Sequence, residues 1–143
     1  MIASSLCDVL DGPIARYQGV ASTFGAFFDS VCDRYVDFAI FGGVAWYFFT
    51  RGEMLPAFLA LLTIVGSFTT SYAKARAEAI IKKVRNIGIM GRPIRLVFVG
   101  IGLLFPGILM PILWLLAILT NLTSMQRIYY YAGEFLSPEE KSP

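Results

Sequence analysis

The chain has 143 residues, 57% of them hydrophobic and 15% charged, with a mean hydropathy of +0.66. Soluble domains are about 45–50% apolar, so lipid is the expected solvent, and the length suits one domain. Histidine is absent, which excludes a histidine base, a Ser-His-Asp arrangement and imidazole metal ligation; the formal charge of +2 says little by itself, and no nucleic-acid partner is expected.

The opening residues do not read as a secretory signal, because Asp8 and Asp11 come before any apolar run. Three later stretches, 38–50, 54–73 and 96–126, lack Asp, Glu, Lys and Arg. A helix needs about 20 apolar residues to cross a bilayer. The first stretch reaches that length only by extending back through 24–37, which carries aspartates into the bilayer and predicts a helix over 24–50. After the short loop Arg51-Gly52-Glu53, the second stretch predicts a helix over 55–83 that runs back. The third, 31 residues long, has room for a hairpin of two spans turning near Phe105-Pro106-Gly107; one long helix kinked at Pro106 and Pro111 is the competing reading.

The expected fold is therefore all-α and integral to a membrane: a bundle of transmembrane helices over 1–136, then a polar tail over 137–143 that is expected to be disordered. Tyr129, Tyr130 and Tyr131 read as an interfacial aromatic belt. Cys7 and Cys32 have neither disulfide nor metal spacing and read as small packing residues.

Charge is unevenly spread. All five aspartates, Asp8, Asp11, Asp29, Asp33 and Asp37, fall in the first 37 residues, whereas Lys74, Arg76, Lys82, Lys83, Arg85, Arg92 and Arg95 gather in the middle. Following the spans in order brings both poles, and Arg127 after the hairpin, to one side of the membrane. The excess of Lys and Arg over 82–95 marks that side as cytoplasmic.

The aspartates have a regular spacing: Asp8-x2-Asp11-Gly12-x2-Ala15-Arg16-x8-Gly25-x3-Asp29-x3-Asp33. On helices, Asp8 and Asp11 share a face, as do Asp29 and Asp33, so two segments meeting through 17–24 can converge four carboxylates. Four unpaired anions at membrane depth repel one another and are costly to desolvate. Cations must therefore neutralise them. Oxygen-only ligands favour hard ions, so two Mg²⁺ or Mn²⁺ would balance the charge. Pairing of the aspartates with Arg16 and Arg34 at helix ends is the plainer alternative. Gly12 and Gly25 leave room near the cluster for a base or phosphate.

These eight residues match without a gap the signature of the CDP-alcohol phosphotransferases, which the chain resembles, and Asp29-Ser30-Val31-Cys32-Asp33-Arg34 is similar to that family's third helix. The resemblance implies a homodimeric six-helix membrane fold, of which this chain holds about four helices and the end of another. It implies that Asp8, Asp11, Asp29 and Asp33 hold two divalent ions on the pyrophosphate of a CDP-lipid, with CMP as leaving group. By the same resemblance Asp33 is also the base that takes the acceptor's proton, and Gly12, Ala15, Arg16 and Gly25 shape the nucleotide pocket. The lipid it implies is CDP-diacylglycerol or CDP-archaeol, since either tail needs only an apolar groove.

The acceptor side is read from the basic residues. Ser71, Lys74 and Glu78 share a helical face with Arg76 offset, and Pro93 suits a first helical turn flanked by Arg92 and Arg95, a natural phosphate site. Lys82, Lys83 and Arg85 read as headgroup contacts. The Ser-Tyr-x-Lys-Ala-Arg-Ala-Glu pattern, the paired arginines and Gln126-Arg127 resemble the branch of the family that uses inositol phosphate. That resemblance implies an acceptor-phosphate site of Ser71, Lys74, Arg76, Arg92, Arg95 and Arg127. Glycerol phosphate is the alternative acceptor, and a cation transporter or an inactive truncated remnant are the other readings. Family members carry one helix and most of a second before the first motif aspartate. Only seven residues precede Asp8 here, so the chain is expected to be a fragment or to begin at a mis-assigned start.

Overall fold

The computed structural model describes residues 23–80, 87–88 and 90–136. The predicted tail at 137–143 lies outside them. Among the described residues there are four helices: α1 (Thr23–Thr50), α2 (Met54–Ile80), α3 (Arg92–Leu104) and α4 (Pro106–Leu136). The chain divides into two compact units, Met1–Val36 and Asp37–Pro143.

Each boundary has a local cause. At the end of α1, Gly52 adopts φ 75°, which a side chain disfavours, and lets Glu53 N–H reach Phe48 O and Gly52 N–H reach Phe49 O at 3.0 Å each. This is the six-to-one and five-to-two pairing of a Schellman stop. Arg51 stacks its guanidinium over the Tyr47 ring, 4.5 Å from the centroid. At the other turn, Phe105 leaves helical geometry (φ −123°, ψ 83°) before the proline, and Pro106 starts α4 where no N–H is needed.

The third apolar stretch is thus a hairpin rather than one kinked helix. A Cβ at Gly102 of α3 would lie 2.8 Å from Leu109 Cδ1 and 3.3 Å from Ile112 Cδ1, so the two legs lie side by side. Pro111 is accommodated inside α4. The legs are unequal: α3 has 13 residues, about 20 Å at helical rise, against a hydrocarbon core of about 30 Å. A hairpin of two spans was expected, and its turn falls where the sequence placed it. The helices α2 and α4, of 27 and 31 residues, are long and apolar enough to cross a membrane.

In lipid, apolar contact gives little net drive for helices to associate, and close backbone approach with polar contacts takes its place. The α2–α4 contact follows that rule. A Cβ at Gly66 would fall 2.6 Å from Thr120 Oγ1 and 2.9 Å from Asn121 N. Across the contact, Thr70 Oγ1 donates to Thr120 O (3.3 Å) and Asn121 Nδ2 to Leu62 O (3.1 Å). Buried Thr63 and Thr120 donate to the carbonyls four residues back, Leu59 O and Leu116 O, both at 2.8 Å, which leaves no bare hydroxyl. Around this contact, Phe41, Ala60, Leu113 and Leu116 are fully buried. Of the expected tyrosine belt, Tyr129 is exposed and Tyr130 half-buried, but Tyr131 is buried; neighbours on a helix point about 100° apart, so three in a row cannot share one face.

Candidate active site

The first half of α1 belongs to the unit Met1–Val36 and carries Gly25, Asp29 and Asp33 on successive turns. Gly25 and Asp29 are exposed and Asp33 is half-buried, with its Oδ2 3.6 Å from Arg34 NH1. Two carboxylates one turn apart offer only hard oxygen donors, which fits Mg²⁺ or Mn²⁺; Asp29 and Asp33 would hold the ion from this side. The remaining predicted residues of this centre, Asp8, Asp11, Gly12, Ala15 and Arg16, lie outside the described residues, as do Lys82, Lys83 and Arg85.

The unit Asp37–Pro143 carries the basic residues. Along α2, Ser71 and Lys74 are half-buried and Arg76 is exposed, and Lys74 Nζ lies 3.5 Å from Glu78 Oε1 one turn on. Arg92 and Arg95 occupy the first turn of α3, after an extended Gly91. They meet on a single acid. Asp37 Oδ2 accepts hydrogen bonds from Arg95 NH2 (2.9 Å) and Ser67 Oγ (2.6 Å), and its Oδ1 lies 3.5 Å from Arg92 Nε. The side chains of Asp37 and Arg95 are 1% and 3% exposed, whereas that of Arg92 keeps 31%.

Arg127 is engaged differently. Its Nε donates to Ile87 O at 2.6 Å and its NH1 to Thr70 O at 3.0 Å, and the neighbouring Met90 N–H donates to Thr123 Oγ1 at 3.2 Å. The segment around Gly88, where φ is 137°, is thereby fastened to α4. Of the six predicted acceptor residues, then, Arg92 and Arg95 are brought together, Lys74 pairs with Glu78, and Arg127 binds backbone carbonyls.

Sequence reasoning missed Asp37 and Ser67. The signal was available: Asp37 is an acid at the edge of an uncharged stretch, and an ionisable group in such a place needs a named partner. An apolar groove of about 450 Å³ also opens in this unit between Val44 and Phe48 of α1, Leu103 of α3 and Leu109 of α4.

The phosphatidylinositol phosphate synthase of Mycobacterium marinum is 42% identical over 134 residues, covering 87% of this chain and 56% of the relative. The archaetidylinositol phosphate synthase of Pyrococcus horikoshii is 35% identical over 129 residues, covering 90% of this chain and 65% of the relative. The chain thus spans less than two thirds of the length of these relatives. Among solved structures, Mycobacterium tuberculosis phosphatidylinositol phosphate synthase with CDP-DAG bound superposes with a TM-score of 0.78 at 34% identity, covering 97% of this chain and 74% of that one. The same enzyme in complex with manganese and citrate gives 0.77 at 33% identity, covering 97% and 69%. The family model for CDP-alcohol phosphatidyltransferase matches residues 1–126, a range that contains the whole aspartate spacing and all of α1, α2 and α3. With most of its length inside that match, the chain belongs to the CDP-alcohol phosphatidyltransferase family.

Proposed function

We propose that this membrane chain transfers a phosphatidyl-type group from CDP-diacylglycerol or CDP-archaeol to inositol phosphate, with release of CMP. One observation carries the reading: the relatives just described are synthases of phosphatidylinositol phosphate and archaetidylinositol phosphate. In the reaction, an acceptor hydroxyl oxygen forms a bond to the lipid-bearing phosphorus as the bond from that phosphorus to the CMP oxygen breaks. CMP leaves as an anion.

Asp33 takes the hydroxyl proton, and Asp8, Asp11, Asp29 and Asp33 hold two divalent ions. When bound, such ions neutralise charge on the transferring phosphoryl group and on the leaving phosphate. Gly12, Ala15, Arg16 and Gly25 shape the nucleotide pocket. Ser71, Lys74, Arg76, Arg92, Arg95 and Arg127 make up the basic side toward the acceptor's phosphate, with Arg95 and Arg127 bracing it through Asp37 and backbone carbonyls. The apolar groove beside Val44 and Leu103 suits a lipid tail, since it offers hydrocarbon contact. The chain works as a homodimer, with its site on the cytoplasmic side.

The test is the full chain reconstituted in vesicles with CDP-diacylglycerol, Mg²⁺ or Mn²⁺ and radiolabelled inositol phosphate. CMP release with label entering the lipid is expected. No CMP above background rejects the reading, and preference for glycerol phosphate in direct competition changes the acceptor.

A further inference from the structure

A buried carboxylate needs a reason. An ion pair taken out of water loses about as much in desolvation as it gains in attraction, and apolar side chains of similar size often stabilise a core equally well. Stability alone therefore does not account for Asp37 and Arg95 at 1% and 3% side-chain exposure. The cluster has direction instead. Three helices contribute to it: Asp37 from α1, Ser67 from α2, and Arg92 and Arg95 from the first turn of α3. Ser67 Oγ at 2.6 Å and Arg95 NH2 at 2.9 Å both converge on Oδ2, which fixes the carboxylate plane. That leaves Oδ1 turned to Arg92 Nε at 3.5 Å, on the one member of the cluster whose side chain keeps 31% exposure.

We propose that Asp37 is a positioning residue: with Ser67 and Arg95 as its internal brace, it sets the reach of the Arg92 guanidinium, which meets the phosphate of the acceptor. The inference rests on the polyol-phosphate reading above and deepens it by dividing the labour of the two arginines. Arg95 binds inward and fixes the carboxylate, while the Arg92 side chain keeps 31% exposure. A guanidinium grips phosphate through a planar fork, so its orientation decides whether one or two hydrogen bonds form.

The test is a set of variants of the full chain in lipid nanodiscs. KM for inositol phosphate and for CDP-diacylglycerol, kcat, and the calorimetric Kd for inositol phosphate alone are measured for each. Asp37→Asn keeps an acceptor oxygen for Ser67 and Arg95 but removes the charge facing Arg92. The expected result is a KM and Kd for inositol phosphate raised about 10- to 50-fold, with the CDP-diacylglycerol KM and kcat within about 3-fold of the parent. Arg92→Lys should give a similar rise, and combining the two should add less than about 3-fold, because both act through one guanidinium.

Ser67→Ala, which disturbs the fold least, should raise the same constant about 2- to 5-fold and so carries the test if Asp37→Asn does not accumulate. Equal loss in both KM values and kcat, or full multiplication of the Asp37→Asn and Arg92→Lys effects, overturns the proposal. Parent protein that binds inositol phosphate but releases no CMP overturns the proposed activity alone, and the Kd series then decides the role of Asp37. Parent protein that neither binds nor turns over a polyol phosphate overturns both.

Discussion

Arg127 Nε donates to the carbonyl of Ile87 at 2.6 Å, so a cation far along α4 fastens a segment that lies 40 positions earlier in the chain. The same guanidinium reaches Thr70 O on α2 at 3.0 Å. Hydrogen bonds from a charged donor contribute about 1.5–3 kcal/mol each, and a lysine at this position can reach only one of these carbonyls well. Arg127→Lys should therefore speed protease cleavage near residue 88 about 10-fold at constant global melting temperature, as timed by mass spectrometry. An unchanged cleavage rate would remove the fastening role.

The α2–α4 contact predicts a steep glycine dependence. Gly66→Ala places a methyl group 2.6 Å from Thr120 Oγ1 and 2.9 Å from backbone Asn121 N, and the backbone atom cannot rotate away. A loss of about 1–3 kcal/mol is expected, seen as a lower melting temperature in detergent. Gly100→Ala, where nothing lies within 4 Å, should leave melting unchanged or slightly raise it.

Gly52 tests the α1 stop. At φ 75° a Cβ meets its own backbone, so Gly52→Ala should cost about 1–2 kcal/mol although nothing else lies within 4 Å of the site. Gly52→Asn should recover much of that loss, because asparagine tolerates this conformation better. Both changes can be read from thermal unfolding in detergent.

Metal removal tests the acidic side. Excess chelator should abolish CMP release and added Mg²⁺ or Mn²⁺ should restore it. Asp29→Asn is expected to lower turnover by about 100-fold or more and to weaken the metal's half-saturation, since one of the few anionic ligands becomes neutral. Turnover and metal response that both survive Asp29→Asn and Asp33→Asn would rule out the metal assignment.

The helices were legible because apolar length and proline placement are local properties. The stretch 54–73 and the break at Pro106 both appear in α2 and in the α3–α4 turn. The turn near Pro106 and a helix start at Pro93 were legible, but not that the first leg falls short of a full span. In the site, the i, i+4 spacing of Asp29 and Asp33 follows directly from helical period. The partners of Asp37, Arg95 and Arg127 do not, because each of these side chains is satisfied by groups 30 to 58 positions away in sequence, and only packing brings those together. Charge pattern picked out the arginines; it could not say which of them turn inward.

The short leg of the hairpin has one more consequence. With 13 residues, about 20 Å, α3 is shorter than a hydrocarbon core of about 30 Å, and an open peptide group at its end would be costly in a bilayer. Part of that demand is met by hydrogen bonds, Phe105 N–H to Ile101 O and Ile108 N–H to Phe105 O at 3.0 Å each, and part by subtraction, since the imino acid between them brings no hydrogen to satisfy. A proline there removes a polar liability from oil, and replacing it with any other residue would put one back.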